Sequence, residues 1–283
     1  MMIKPIAAIV ISGMLASPWT QLPPPSPVEI ALLTHTEIYD AVHNHQKTTV
    51  LIFNGGTEQR GPHAVLGGHT LIAQQLGPMI AQKLGNALVA PVMPFSITTV
   101  DGKMPGGVTL GADLFKRVNE AVVDSMVTNG FRDIVLLGDH GGGQRELADL
   151  ALTLDRKYAP RGIHVYFCSD VYEKSDQEFN AYLKSKGLPA STHGGIPDTS
   201  ELLSLQPRQG AWVRENYRTT PGDAVVPAGQ QRDPKIKLLN NGITGDPRPS
   251  TPELGKMFIE IRVRNAVAEI QSKIAAKRTK PRG

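Results

Sequence analysis

One carboxylate and two imidazoles are concentrated at residues 55–70, which read GGTEQRGPHAVLGGHT and contain Glu58, His63 and His69. This stretch directly follows the apolar run at residues 50–53, which predicts a buried β-strand. In α/β proteins, ligands and metals bind beyond the carboxyl ends of such strands. Carboxylate oxygen and imidazole nitrogen together suit zinc, manganese or iron. Because the spacing is not that of a helical HExxH motif, we expect a loop to present these side chains.

Two further clusters of the same kind follow along the chain. Residues 133–137 predict another buried strand, and the sequence GDHGGG, with Asp139 and His140, extends from its end. Glycines around a histidine let the backbone turn sharply and let a ligand approach closely. The third cluster, HGGIPDTS, begins with His193 and contains Asp198. The three clusters together strengthen the prediction of a metal site.

The order and spacing of these clusters resemble the creatininase (creatinine amidohydrolase) family. That family typically carries a segment like GSxEQHGPHLPxxTD, then NGHGGN or NGHYEN, then HAGxxETS. Two weaker segments agree with it, PGGVT at 105–109 and GITGDP at 242–247. The resemblance covers about residues 35–270. It implies an α/β fold of the creatininase type, a three-layer α/β/α arrangement with a mostly parallel central sheet.

The resemblance also implies a metal centre, from which this chain departs. The family uses a dinuclear centre whose ligands come from the Glu and His of EQHG, the Asp of TD and the His of NGH. Glu58 and His140 match two of these ligands. Arg60 stands in place of the ligand histidine, His69 in place of the bridging aspartate, and Gly142 in place of the acid of NGHYEN. A protonated arginine has no lone pair for a metal, and an imidazole lacks the two oxygens with which a carboxylate bridges two cations.

The ligands that remain predict a mononuclear site formed by Glu58, His69 and His140. Such a set can hold one divalent ion per chain, Zn, Mn or Fe, with open positions for water and substrate. We expect Arg60 to replace the second metal electrostatically, because a guanidinium can hold a substrate carboxylate or a developing oxyanion.

His193 and Asp198 complete the predicted catalytic set with Arg60. By the resemblance, His193 matches a family histidine that lies near the substrate and transfers a proton, and Asp198 matches the acid of ETS. Since Arg60 carries a fixed positive charge, we expect a small-molecule substrate with an anionic group rather than neutral creatinine.

Two functions of different classes remain open. The first is hydrolysis of a non-peptide C–N bond in a cyclic or small linear amide, with metal-activated water as nucleophile and proton transfer by His193. The second is a non-catalytic creatininase-like protein that binds a small molecule through a degenerate metal site. The three potential ligands favour the first function. The missing second-metal histidine and bridging aspartate favour the second.

Composition limits the partners. The 283 residues suffice for one large domain with a sizeable core. The net charge of +4 is partly located in the tail KRTKPR, and aromatic residues make up only 5%. Nucleic-acid binding needs a concentrated basic face with stacking groups, so we expect no nucleic-acid partner. The resemblance implies a homo-oligomer, since creatininase-like proteins commonly form hexamers.

The chain divides into three predicted parts. A charged start followed by apolar residues 5–16 is typical of a signal peptide and is too short for a membrane span. With the proline-rich segment that follows, it forms a leader over residues 1–27, before a domain at 28–276 and a basic tail at 277–283. We therefore expect a periplasmic or secreted protein without stable membrane association. The alternative is a misassigned start or a disordered arm.

Strand-like and helix-like segments alternate after residue 28, as is typical of an α/β fold. Helices are predicted at 30–42, 70–83, 113–128, 144–157 and 251–273, and strands at 50–53, 88–93, 133–137 and 164–168. The region 174–250 is rich in Gly, Pro and polar residues. We expect it to be largely irregular and to fold over the site, because it contains His193.

Overall fold

A parallel four-stranded sheet forms the centre of the fold. The computed structural model describes residues 28–226 and 229–278. The strands are β1 (Thr49–Asn54), β2 (Ala87–Val89), β3 (Asp133–Gly138) and β4 (His164–Cys168), in the order β2-β1-β3-β4. All three pairings are parallel, and every residue of β1 and β3 is buried. Burial on both faces explains why these strands are continuous apolar runs instead of alternating patterns.

Seven α-helices surround this sheet in the described residues: α1 (His35–His43), α2 (Gly68–Leu84), α3 (Ala112–Thr128), α4 (Gln144–Tyr158), α5 (Glu173–Ser185), α6 (Ile196–Leu205) and α7 (Pro252–Arg278). Short 3-10 helices lie at Ile30–Leu32, Ala159–Arg161 and Glu215–Arg218. Within the sheet, β2 lies on one side of β1, and β3 and β4 lie on its other side. Right-handed connections therefore place α2 on one face and α3 and α4 on the other. Because α7 packs on α2 and α6, the three-layer α/β/α prediction is confirmed.

The first predicted helix, at 30–42, is wrong at its start. Ile30–Leu32 forms a 3-10 turn, and α1 begins only after Thr34. The Glu37 backbone N–H donates to the Thr34 hydroxyl, and the Thr34 N–H donates back to the Glu37 carboxylate. This reciprocal capping box satisfies two donors and fixes where the helix begins.

The predicted strand at 88–93 is also too long. Only Ala87–Val89 pairs as a strand, because Pro91 and Pro94 carry no N–H to donate to a ladder. Past β2 the chain leaves the sheet as a loop on the side of the candidate site.

The region 174–250 is largely irregular, as predicted, but it also contains most of α5 and all of α6, which were not predicted. α5 buries Phe179 and Leu183, and α6 buries Ile196, against Phe258 of α7 in a second, smaller core. The rings of Phe179 and Phe258 stack with centroids 4.4 Å apart. The partner that stabilises these helices is therefore far away in sequence.

The last helix extends beyond the predicted end at 273. Lys277 bonds to Asp155 at 2.7 Å and Arg278 to Asp133 at 3.0 Å, so the first two residues of the predicted basic tail are helical. The predicted leader, residues 1–27, and residues 279–283 lie outside the described residues. None of the helices in the described part of the chain is both long and apolar enough to cross a membrane.

Candidate metal centre

The candidate site lies where the direction of the chain through the sheet reverses. β1 leads to β2 on one side, β3 leads to β4 on the other, and the carboxyl ends of β1 and β3 are adjacent. Such a reversal opens a crevice in which α/β proteins bind ligands. The loop after β1 carries Glu58, and the loop after β3 carries Asp139 and His140. The expected loop position is wrong for His69, which lies in the first turn of α2.

Glu58 lies between the two imidazoles. Its Oε1 is 3.0 Å from Nε2 of His69, and its Oε2 is 2.8 Å from Nε2 of His140. The two rings meet edge to face, with centroids 4.8 Å apart. One donor atom from each residue lies within 4.8 Å of the others, and the residues are only 6% to 8% exposed. The structure therefore brings the three predicted ligands together in a buried cluster.

The cluster fits one divalent ion. Donors about 2.1 Å from a tetrahedral metal are separated by about 3.4 Å, so the observed spacings would open by about half an ångström. Nδ1 of His69 lies 2.7 Å from Oδ2 of Asp139, and a carboxylate at this position directs Nε2 toward a metal. Nδ1 of His140 lies 3.2 Å from the carbonyl oxygen of Gly142 and 3.0 Å from the backbone nitrogen of the same residue, whose N–H it accepts in the other tautomer. The tautomer that donates Nδ1–H to that carbonyl leaves Nε2 free as a ligand.

The protonation of the cluster reflects its burial and its pairing. Burial alone would raise the pKa of Glu58, but hydrogen bonds from His140 and His69 hold it far below its usual range. Burial lowers the pKa of His69, yet its bonds to Asp139 and Glu58 bring about a net increase. A metal that binds His69 therefore competes with a proton that is held more tightly than usual.

Side chains that the motifs did not indicate hold the cluster in place. Thr98 donates its hydroxyl to Oε2 of Glu58 at 2.6 Å. Gln144 donates to the carbonyl oxygens of His140 at 2.7 Å and Gly138 at 3.0 Å. Both ends of the Glu58–His140 contact are thus anchored by hydrogen bonds. No sequence signal identified Thr98, which comes from a loop without periodicity.

A buried ion network supports His69 from behind. Arg262 of α7 donates to Oδ1 of Asp139 at 2.5 Å, to Glu201 at 2.9 and 3.1 Å, and to the carbonyl oxygen of Val171 at 3.0 Å. Burial would raise the pKa of Asp139, but Arg262 and His69 lower it to about 2. Sequence reasoning missed Arg262. Its place on α7, four residues after the buried Phe258, was the available signal, because it puts an arginine on the buried face of a helix.

Arg60 lies on another side of His69. Its Nη2 is 2.9 Å from Oδ1 of Asp198 and within 3.0 Å of both ring nitrogens of His69. Because those nitrogens already face carboxylates, the guanidinium packs against the ring. Arg60 is 0% exposed, and its Nε and Nη1 have no hydrogen-bond partner.

His193 lies at the rim of the cluster. Its Nδ1 is 3.3 Å from Oε1 of Glu58, its Nε2 is 2.7 Å from the carbonyl oxygen of Gln59, and its side chain is 30% exposed. Oδ2 of Asp198 accepts the N–H of the next residue, Gly194, at 2.7 Å. His63, in contrast, donates to or accepts from Thr199 at 2.8 Å, and burial lowers its pKa to about 4.

A cavity of about 220 Å³ opens beside the cluster. Its wall includes Glu58, His69, His140 and His193, together with groups from α5, α6 and α7. Arg60 does not line it. The expectation of an anionic substrate depended on contact between Arg60 and the ligand, and in this structure the enclosed guanidinium pairs with Asp198 instead.

Comparison with known proteins identifies the family. A sequence profile of the creatininases, described as creatinine amidohydrolase, matches residues 31–270. The chain belongs to the creatininase family. The family assignment made from the three motifs is therefore confirmed, and the members of this family are metal-dependent amidohydrolases. No curated protein matches the chain in sequence.

Solved creatininases share the fold at low sequence identity. A creatininase described as an Mn form has a TM-score of 0.69 at 19% identity, over 87% of this chain and 98% of that one. A creatinine amidohydrolase has a TM-score of 0.68 at 20% identity, over 87% and 97%. A mutant creatininase of Zn–Zn type has a TM-score of 0.67 at 20% identity, also over 87% and 97%.

Gly68 departs from the TD motif of the creatininases, whereas Gly142 matches the NGHGGN form of the second motif and departs only from the NGHYEN form. Gly68 stands where the TD motif has threonine, and a Cβ there would overlap Nη1 of Arg60. Gly142 stands where NGHYEN has its acid, and a Cβ there would overlap the carbonyl oxygen of Ile97. The first glycine makes room for Arg60, and the second excludes the acid. In the described residues, only the cluster of Glu58, His69 and His140 has the spacing of a metal site.

Proposed function

We propose that this creatininase-family protein is a metal-dependent hydrolase of a C–N bond other than a peptide bond, acting on a cyclic or small linear amide with one divalent ion per chain. The observation that carries the proposal is the position of Glu58, 3.0 Å from His69 and 2.8 Å from His140 at the wall of a cavity. Glu58, His69 and His140 would hold the ion. When bound, such an ion polarises a carbonyl and lowers the pKa of water.

His193 is placed to transfer the proton. Its ring lies at the rim of the cavity, and Nδ1 faces the Glu58 carboxylate at 3.3 Å. Hydrolysis of an amide requires a proton on the leaving nitrogen, and a histidine next to the reacting group can supply it. Asp198 positions this residue, because it accepts the N–H of Gly194 and so fixes the backbone that carries the ring.

Arg60 replaces the second ion as a fixed charge behind the cluster. Its guanidinium packs on His69 and pairs with Asp198 at 2.9 Å, and it touches no part of the cavity. It therefore acts on the reaction through His69 and Asp198. A buried positive charge at this place favours the ionised form of Glu58.

The test is metal-dependent turnover. Full-length protein purified without chelator is assayed on a panel of lactams and small linear amides, before and after chelation and after zinc or manganese is restored. We expect chelation to abolish hydrolysis and metal to restore it. His193→Ala should lose turnover but keep its metal, and His35→Ala, an exposed site on α1, serves as the control. Hydrolysis that persists after chelation would reject the proposal.

The second candidate is a small-molecule-binding protein without turnover. The absence of the second set of ligands, with Arg60 in its place, favours this alternative. It predicts that the same amides bind to the protein and remain uncleaved with either metal.

A further inference from the structure

One wall of the cavity carries polar groups that the proposed chemistry does not use. Tyr172, directly before α5, and Asp176 and Asn180 within it are spaced four residues apart. Residues four apart on a helix project from the same face. All three side chains line the cavity. α5 therefore presents a polar stripe to the space beside the metal cluster.

Asp176 differs from every other carboxylate of this cavity because it has no counter-charge in contact. The others are all paired: Glu58 with His69 and His140, Asp139 and Glu201 with Arg262, and Asp198 with Arg60. Within residues 28–226 and 229–278, no hydrogen bond or ion pair reaches the Asp176 carboxylate. Its neighbour Asn180 donates to the Asp176 backbone carbonyl at 2.9 Å, which leaves the carboxylate itself directed at the cavity.

The Tyr172 hydroxyl is also free to meet a ligand. It forms no hydrogen bond within the described residues, although it lines the cavity. A Cβ built on Gly141 would lie 2.8 Å from this hydroxyl, so the hydroxyl is close to the backbone next to His140. The phenol thus lies between the metal cluster and the stripe on α5.

An unpaired carboxylate in a partly buried place is unfavourable in the free protein. Burial raises the pKa of Asp176 to about 7, so the charge is opposed by its surroundings. A bound cation or N–H donor would remove that cost by supplying the missing partner. Groups left unsatisfied in this way are often the ones that a substrate satisfies.

We propose that Asp176, assisted by the Tyr172 hydroxyl, determines specificity by selecting a substrate that carries an ammonium or a similar cationic nitrogen group beside its amide. This inference rests on the proposed amidohydrolase function, whose substrate class it names. The cationic group bonds to the Asp176 carboxylate, and the amide lies toward Glu58 and His193.

Calorimetry with three matched lactams tests the assignment. The probes are δ-valerolactam, its α-amino derivative and its carboxylate derivative, titrated at neutral pH into full-length protein in zinc-loaded and metal-free form. We expect the amino-lactam to bind about tenfold more tightly than the neutral lactam, as for a charged hydrogen bond. The carboxylate derivative should bind most weakly.

Matched variants test which residues cause the preference for the amino-lactam. Asp176→Asn should reduce the affinity for the amino-lactam to that for the neutral lactam, and Tyr172→Phe should cause a smaller loss. Glu173→Gln removes a charge from the same turn of α5 at an exposed residue, so it should keep the preference. Thermal unfolding confirms that each variant is folded.

The outcomes separate this inference from the proposed function. Equal affinity for the amino and neutral lactams, undetectable binding of the amino-lactam, or an unchanged preference in Asp176→Asn would each overturn it. A preference that depends on Asp176, without hydrolysis of any lactam, supports the specificity assignment and rejects the hydrolase. Hydrolysis without that preference keeps the hydrolase and overturns the role of Asp176.

Discussion

Two buried arginines lie near His69, Arg60 in direct contact with it and Arg262 through Asp139, and their surroundings differ. Arg262 is 3% exposed, and all three of its guanidinium nitrogens donate to Asp139, Glu201 or a backbone carbonyl. Arg60 is 0% exposed, yet two of its three nitrogens have no partner. A fully paired buried charge fixes the geometry around it, whereas an incompletely paired one costs stability. We infer that Arg262 holds the site together and that Arg60 is retained for its charge.

The largest predicted effect follows from the complete pairing of Arg262. Arg262→Met leaves Asp139 and Glu201 as buried carboxylates without a cation, and we expect the free energy of unfolding to fall by about 3–5 kcal/mol. Denaturant unfolding measures this. Arg264→Met, at an exposed position on the same helix, should change it by less than about 0.5 kcal/mol. Equal decreases in the free energy of unfolding in Arg262→Met and Arg264→Met would show that the complete pairing of Arg262 does not stabilise the fold.

Asp139 connects Arg262 to the metal ligand His69, because it bonds to both side chains. Asp139→Asn keeps the shape of the side chain but weakens its bond to Nδ1 of His69, which lies 2.7 Å away. We expect zinc affinity to fall by about 10–100-fold. Competition with a chromophoric chelator measures the affinity, with Asp149→Asn on the exposed side of α4 as the control. An unchanged zinc affinity would show that Asp139 does not orient His69.

Arg60 should lower the affinity for zinc, whereas Asp139 should raise it. Its guanidinium lies 2.9 Å from Nε2 of His69 and repels a cation bound there. Arg60→Met removes that charge, so we expect zinc to bind at least about tenfold more tightly. The same chelator competition gives the result. A weaker affinity in this variant would instead assign Arg60 to the support of the metal site.

The last prediction concerns Asp176, the unpaired group on α5. Burial raises its pKa from 3.8 to about 7, so the folded state binds the proton more tightly than the unfolded state. Its favourable contribution is present at low pH and is lost as pH rises from about 4 to about 7. Metal-free Asp176→Asn should therefore gain thermal stability relative to the natural protein between about pH 5 and pH 8. A constant difference across this range would contradict the assignment.

The sequence predicted the parts of the fold whose signals are local. β1 and β3 are buried on both faces, so they appear as apolar runs that end a few residues before Glu58 and His140. α5 was not predicted because only a few of its residues are buried, and the surface that stabilises it belongs to α7. Helix periodicity is weak where the packing partner is distant in the chain and covers little area.

The sequence predicted the main residues of the candidate site but not the contacts that join them to the rest of the protein. Motif order identified Arg60 as a departure from the family, but nothing local to it showed that Asp198 pairs with it. In the same way, the motif around Asp139 does not reveal Arg262, which arrives from the last helix. Such contacts depend on how distant helices pack, and single-sequence patterns do not encode that.

The central claim is one divalent ion per chain, held by Glu58, His69 and His140. Native mass spectrometry with elemental analysis, on full-length protein purified without chelator, measures this stoichiometry directly. We expect one ion per chain, lost in Glu58→Gln and in His140→Ala while both variants stay folded. Two tightly bound ions per chain, or one ion retained in both variants, would contradict the account.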